Sequence, residues 1–483
     1  MFISSHTNVV FDHLRVPYTI VSGTSGSAHP LAGCATLVGR NAPRRSMYWP
    51  VFGAGSPVRL LAVAPRRFHC GRLILHGHVV PDDVVTAWLG GTDTDWHPVE
   101  TVTDGQRDIA SIWRSDRGDV FLPFDPNEIV RTFWSEGYHD DAGAGPAVGL
   151  RSAAVSAYYL IRPVMPRRLQ IAVRRLYSRV QARTPFPRWP VEGSLHGFLD
   201  RMLEWAAELA GEAVPRIAPW PHGHTWAFVL THDVETADGL RRLPVLREVE
   251  LAAGFRSSWN LVPARYRVPD DVVAQLHAAG FEVGVHGLYH DGRDLADGVL
   301  AERLPEMLRW AGRWNAVGFR SPATHRAWAT MAALPFEYDS SYPDTDPFEP
   351  QPGGCCSWLP YVNGTIVELP ITLPQDHTVF VILRHADGRI WIDKTELIRA
   401  AGGMALLITH PDYADAAITR AYAELLAHVA DDASAWRALP VEVSRWWRRR
   451  ERSRLEPADD GWQVVGPARD EAHILYTAPA PQP

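Results

Sequence analysis

The sequence predicts an α/β protein: a distorted seven-stranded (β/α) barrel preceded by a separate α/β or α+β domain. Three observations lead there. Trp226 to Glu235 (Trp-Ala-Phe-Val-Leu-Thr-His-Asp-Val-Glu) runs five apolar or aromatic residues into a Thr and two carboxylates, the pattern of a buried parallel strand with a polar carboxyl end. From Trp226 onward, strand-like and helix-like runs alternate, which implies a parallel sheet. The chain has 483 residues, too many for one ordinary core.

Before Trp226 the runs are shorter. Val58 to Val63, Leu73 to His76 and Val84 to Leu89 read as strands, and Asp119 to Phe124 leads into a helix near Pro126. His76 and His78 share one strand face, but with no carboxylate or Cys beside them in sequence they read as packing residues. Arg167, Arg168, Arg174, Arg175 and Arg183 are interleaved with Leu169, Val173, Leu176 and Val180 at helical spacing. This basic amphipathic helix runs into Thr184-Pro185-Phe186-Pro187-Arg188-Trp189-Pro190, which suits a linker, and Phe198 to Leu209 is a further helix. The expected domains are 1–160, a linker region 161–215, a catalytic domain 216–438 and a basic tail 439–483.

In the second half the expected strands are Trp226 to Thr231, Phe255 to Val262, Phe281 to Val285, Val317 to Arg320, Phe336 to Ser340, Thr365 to Leu369 and Met404 to Thr409. Helices fill Leu246 to Ala253, Asp271 to Ala279, Leu300 to Trp314, Asp393 to Ala401 and Asp415 to Ala430. Beyond them lies Trp446-Trp447-Arg448-Arg449-Arg450.

Hydrophobic residues at 46% and charged residues at 21% place the chain among ordinary globular proteins. A net charge of −7 disfavours nucleic acid as the main partner, because no basic excess is available to neutralise phosphates. The four cysteines, Cys34, Cys70, Cys355 and Cys356, form no C-x-x-C pair, which argues against a disulfide framework or a zinc ribbon. Met1 to Val10 has no signal-peptide pattern and no run of about 18 apolar residues occurs. The expected location is cytoplasmic, with peripheral contact to anionic membrane at its inner face through the basic helix and Arg448 to Arg450.

Polar clusters fall at the ends of five of the seven strands: Thr231-His232-Asp233-Val234-Glu235, His286-Gly287-Leu288-Tyr289-His290, Arg320-Ser321-Pro322, Asp339-Ser340-Ser341 and His410-Pro411-Asp412. Two carboxylates close together at a strand end are costly to bury unless a cation or a proton relieves them. His286 and His290, four apart, would share a face on a helical turn. With one carboxylate, Asp233 or Glu235, they make a two-His, one-carboxylate metal site.

The ordered set Thr-x-Asp-x-Glu, His-x-x-x-His, Arg-x-Pro, Asp-Ser-Ser and an apolar run ending in His resembles the polysaccharide deacetylases, carbohydrate esterase family 4 with its NodB-homology domain. The resemblance covers about residues 225 to 430. It implies a metal-dependent hydrolase that removes acetyl groups, usually N-acetyl, from sugars on a distorted barrel. The family's usual first motif has adjacent aspartates, whereas Val234 stands between Asp233 and Glu235 here. By position, Asp233 is then the base, Glu235 the carboxylate ligand beside His286 and His290, and Arg320 the residue that orients Asp233. His410 can protonate the leaving nitrogen. The cofactor expected is a divalent metal, zinc first. His232, Tyr289, Pro322, Asp339 and Trp358 are expected to shape the pocket. The substrate expected is an acetylated carbohydrate of a cell-surface polysaccharide; the alternatives are a small non-sugar amide, or carbohydrate binding without catalysis.

Overall fold

The computed structural model describes residues 1–4, 8–21, 34–39, 41, 44–52, 63–139, 167–296 and 298–479. The chain forms two compact units. One contains Met1–Gly143, Gly193–Ala218 and Arg450–Pro483; the other contains Ala144–Glu192 and Pro219–Arg449.

The first unit is built on a mixed nine-stranded sheet, with order Thr19–Val21, Phe2–Ser4, Cys34–Val38, Ser46–Pro50, Val120–Phe121, Asp108–Ser115, Trp96–Thr103, Val63–Cys70, Leu73–Val79. Helix Pro126–Trp134 starts where expected, because Asp125 accepts from Asn127 N at 2.8 Å and Pro126 opens the first turn. One strand expectation fails: Val84 to Leu89 belongs to helix Asp82–Leu89. Pro81 and two Asp residues favour a helix start there, and Val85 and Leu89 are buried one turn apart. Of the expected strand Val58 to Val63, only Val63 lies among the described residues. His78 Nδ1 lies 2.5 Å from Glu128 Oε1, a partner that the sequence neighbourhood does not reveal. Arg450, 2% exposed, donates to the carbonyls of His13, Ile217 and Ala218 at 2.9, 3.0 and 3.0 Å. The last arginine of the basic cluster is therefore a buried strut.

The second unit holds the barrel. Seven parallel strands follow in space the order Ile366–Glu368, Tyr338–Asp339, Gly318–Phe319, Glu282–Val285, Ser258–Leu261, Trp226–Val234, Met404–Thr409. All nine residues of Trp226–Val234 are buried, as expected of a parallel strand covered on both faces. The curl is closed by a segment outside any strand. Thr372 N and Leu373 N donate to Leu406 O at 3.1 and 2.9 Å, and Leu406 N donates to Thr372 Oγ1 at 2.8 Å. Strands Gly318–Phe319 and Tyr338–Asp339 have two residues each, which distorts the wall. Two further short strands extend the sheet: Tyr361–Asn363 runs antiparallel to Ile366–Glu368, and Ala435–Ala438 pairs with the amino half of the first strand.

Helices cover the sheet between strands. Ala237–Ala253 begins at Thr236, whose side chain accepts from Gly239 N, and ends at Gly254 in the left-handed region (φ 74°). Trp446 and Trp447 are buried, and Trp446 Nε1 donates to Pro219 O at 2.6 Å. Among the described residues no helix is long and apolar enough to cross a membrane.

Candidate active site

Residues from all seven barrel strands, or from the loops after them, converge at the carboxyl ends. Period-two alternation along the first strand sends Thr231 and Asp233 inward and His232 to the opposite face. The register sets Asp233 beside Asn260, whose amide donates to Asp233 Oδ1 at 2.8 Å. Arg320 Nη1 lies 3.5 and 3.4 Å from the two Asp233 oxygens, and its Nη2 donates to Thr231 Oγ1 and Ser340 Oγ at 3.1 and 3.0 Å. Asp233 and Arg320 are 3% and 1% exposed, so little water screens the pair. Burial pushes the Asp233 carboxyl up, but Arg320, His286 and His410 together outweigh it and hold it at about 2. Asp233 is thus ionised throughout the neutral range.

Glu235, His286 and His290 bring one ligand atom each to within 4.8 Å of one another. His286 Nδ1 donates to Arg320 O at 3.0 Å, which fixes the tautomer and leaves Nε2 with its lone pair free. Burial lowers the His286 pKa to about 4, so the ring is neutral, as a metal ligand must be. His290 Nε2 lies 3.1 Å from Glu235 Oε1, yet it is buried and makes no hydrogen bond of normal geometry. A buried nitrogen left unpaired beside a carboxylate and a second imidazole is what a cation would satisfy. The donor set therefore fits a divalent metal.

The two histidines do not sit on a helical turn. Residues 286–290 form a loop in which Gly287 (φ 62°) and His290 (φ 57°) both take left-handed backbone. A Cβ at position 287 would lie 2.2 Å from Asp294 Oδ2 and 2.6 Å from Pro322, so glycine is required for the turn that brings the rings to 5.0 Å.

His410 faces the same centre from the last strand. Its Nδ1 donates to Asp376 Oδ1 at 2.6 Å, its backbone N donates to Asp376 Oδ2 at 2.7 Å, and its Nε2 lies 3.9 Å from Glu235 Oε1. Burial alone would lower its pKa, but Asp376 first, then Glu235 and Asp233, raise it to about 10. A carboxylate that stays ionised and an imidazole that stays protonated thus flank the candidate metal ligands, the division of labour that acid–base catalysis needs.

Comparison with solved structures finds a likeness in fold over part of the chain. About half of the chain matches family 4 carbohydrate esterases. A protein from Mycobacterium smegmatis assigned as a polysaccharide deacetylase matches at 19% identity, TM-score 0.40, over 47% of this chain and 92% of its own. Puue allantoinase matches at 17% identity, TM-score 0.39, over 48% and 93%. A family 4 carbohydrate esterase from Streptomyces lividans, in complex with acetate, matches at 13% identity, TM-score 0.29, over 44% and 91%. No family model and no curated protein sequence matches the chain. The functional reading stands on the site geometry.

Of the expected pocket residues, Pro322 is placed at the site, against Gly287. Tyr289 is 44% exposed under the Arg303 guanidinium, at the rim. His232 is fully buried, bonded through its two ring nitrogens to Thr409 Oγ1 and Glu250 Oε1 at 2.7 Å each and stacked on Trp259 at 4.0 Å; it braces the wall. Asp339 is buried and accepts from Ser341 N and Oγ, fixing the turn next to Ser340. Trp358 accepts from Met404 N at the amino end of the last strand, opposite the metal candidates. Asn260 and Asp376 were not among the expected site residues, and Asp412, named only as part of the cluster after the last strand, accepts from Glu235 N and Thr236 Oγ1 at 3.0 and 2.5 Å. Asn260 carried a signal, a polar residue inside the apolar strand Ser-Trp-Asn-Leu. Asp376 lies eight residues beyond strand Ile366–Glu368 and carried no such signal.

Proposed function

We propose that the chain is a metal-dependent hydrolase that removes acetyl groups, N-acetyl groups in particular, from a carbohydrate of cell-surface polysaccharide biosynthesis or modification. The observation that carries this reading is the convergence of Glu235, His286 and His290 between an ionised Asp233 and a protonated His410. Two imidazoles and one carboxylate suit zinc, with positions left for water and substrate. Such a cation supplies positive charge that polarises the acetyl carbonyl and acidifies water.

The chain's own residues do the rest. Asp233, held by Arg320 and Asn260, accepts a proton as water adds to the acetyl carbon. His410 gives its proton to the nitrogen as the carbon–nitrogen bond breaks, so the products are acetate and an amine. Asp376 keeps that imidazole charged until the transfer.

The test is acetate release by the purified full-length protein, loaded with zinc, from N-acetylated and O-acetylated oligosaccharides and from small non-sugar amides. Release from the N-acetylated sugars above the other two classes supports the proposal. Activity confined to the small amides would replace the sugar by a small-molecule substrate, and no activity with any class would point to binding without catalysis.

A further inference from the structure

The helix Arg167–Gln181 is turned the wrong way round for a helix packed on a globular core. A surface helix normally buries its apolar stripe and shows its charges to water. Here the polar side is tied inward: Arg174 Nη2 donates to Phe348 O at 3.2 Å and lies 3.6 Å from Glu349, Arg175 Nε donates to Val381 O at 3.0 Å, and Ser178 is 5% exposed. The outer side is apolar. Leu169, Val173, Leu176 and Val180 recur at helical spacing and are 51%, 37%, 66% and 46% exposed, with Tyr177 beside them at 39%. Leaving one such residue in water is unremarkable; a continuous stripe of them marks an interaction face.

The charge around this face selects the partner. From Ala142 to Val191 the sequence has nine arginines and no Asp or Glu. Arg179 and Arg183, at the end of the stripe, are exposed. A helix with low overall hydrophobicity, an outward apolar stripe and flanking arginines matches the physics of binding at a lipid–water boundary, where apolar side chains enter the acyl region and guanidinium groups meet anionic headgroups. We propose that this helix docks the protein on an anionic lipid surface through Leu169, Val173, Leu176, Tyr177 and Val180. Its inward face holds Phe348, Glu349 and Val381, so the docked helix is anchored to the unit that carries the candidate metal site. The inference is independent of the reaction proposed above.

Vesicle flotation of the full-length protein tests it, with phosphatidylcholine vesicles and with the same vesicles containing phosphatidylglycerol. The protein floats with the anionic vesicles and not with the neutral ones, and high salt releases most of it. Leu176→Glu and Val173→Asp each reduce binding at least about tenfold, since each removes apolar burial and adds repulsion. Arg179→Ala and Arg183→Ala each reduce it about fivefold. Both acidic variants sit on exposed positions, and their thermal unfolding midpoints should equal that of the parent. The proposal is overturned if the protein floats with neither vesicle, if it binds both equally, or if both acidic variants bind as tightly as the parent. It is also overturned if the parent is a dimer that Leu176→Glu converts to a monomer without any vesicle binding by either form; the stripe would then be the seat of a second copy.

Discussion

Replacing Asp376 by Asn isolates the part of the site that the sequence left unmarked. Asp376 holds His410 twice, at Nδ1 (2.6 Å) and at the backbone N (2.7 Å), and it is fully buried. Asparagine keeps the shape and removes the charge. The His410 pKa of about 10 then loses its largest raising influence while burial, which lowers it, stays. A fall from about 10 toward the ordinary 6.5 is up to about 3.5 units, or about 5 kcal/mol of preference for the charged ring. The sign follows: the parent donates a proton up to high pH, and the variant loses its acid as pH rises through neutrality. Turnover at pH 8 should fall about thirtyfold, and the alkaline limb of the pH–rate profile should move to lower pH by a few units. The assay is acetate release across pH 5 to 10, with metal content measured on the same samples. Metal content should not change, because Asp376 is not among the three converging donors. A variant with turnover within threefold of the parent and an unmoved alkaline limb would refute the assignment of His410 as the acid.

Three other perturbations follow from the packing. Gly287→Ala should lower metal affinity by at least about tenfold, since its Cβ would strike Asp294 and Pro322 beside His286 and the left-handed backbone adds strain; metal titration reads it. Lys394→Met leaves Asp344 buried without the ammonium now 2.7 Å away, so it should cost about 3–5 kcal/mol in denaturant unfolding. Glu282 is buried, bonded to Tyr338 Oη at 2.6 Å and Val441 N at 3.1 Å, and burial raises its pKa to about 7. Its contribution to stability is complete below about pH 4.5 and is lost as pH rises through 7, a change of roughly 3 kcal/mol; Glu282→Gln should remove that slope, whatever its constant offset, in unfolding measured from pH 4 to 8.

Much of this was legible because the chemistry sits at strand ends. Asp233, Glu235, His286, His290, Arg320 and His410 each lie at or just beyond the end of an apolar run in the sequence, and the structure brings all six to one centre. Side-chain direction was less legible. His232 lies between two inward residues, so alternation turns it out to Glu250 and Trp259, and a motif reading that counts neighbours cannot see that. The His-x-x-x-His spacing suggested a helical turn, but Gly287 and a left-handed His290 give the same proximity from a loop. Asp376 was hidden because its partner is 34 residues away and the pairing depends on how the barrel closes. The helix Arg167–Gln181 shows a further limit. Its period was plain, yet periodicity does not say which face turns inward, and here hydrogen bonds from Arg174 and Arg175 decide it.

The most direct test of the central claim is metal stoichiometry, measured by elemental analysis after zinc loading and dialysis, for Glu235→Ala, His286→Ala and Asp233→Asn beside the parent. The site as described predicts about one equivalent of zinc in the parent and in Asp233→Asn, whose turnover is nonetheless reduced a hundredfold or more, and a clear loss of metal in Glu235→Ala and His286→Ala. Full metal in Glu235→Ala with an empty Asp233→Asn would exchange the two carboxylates, and full metal in every variant would contradict a metal centre at Glu235, His286 and His290.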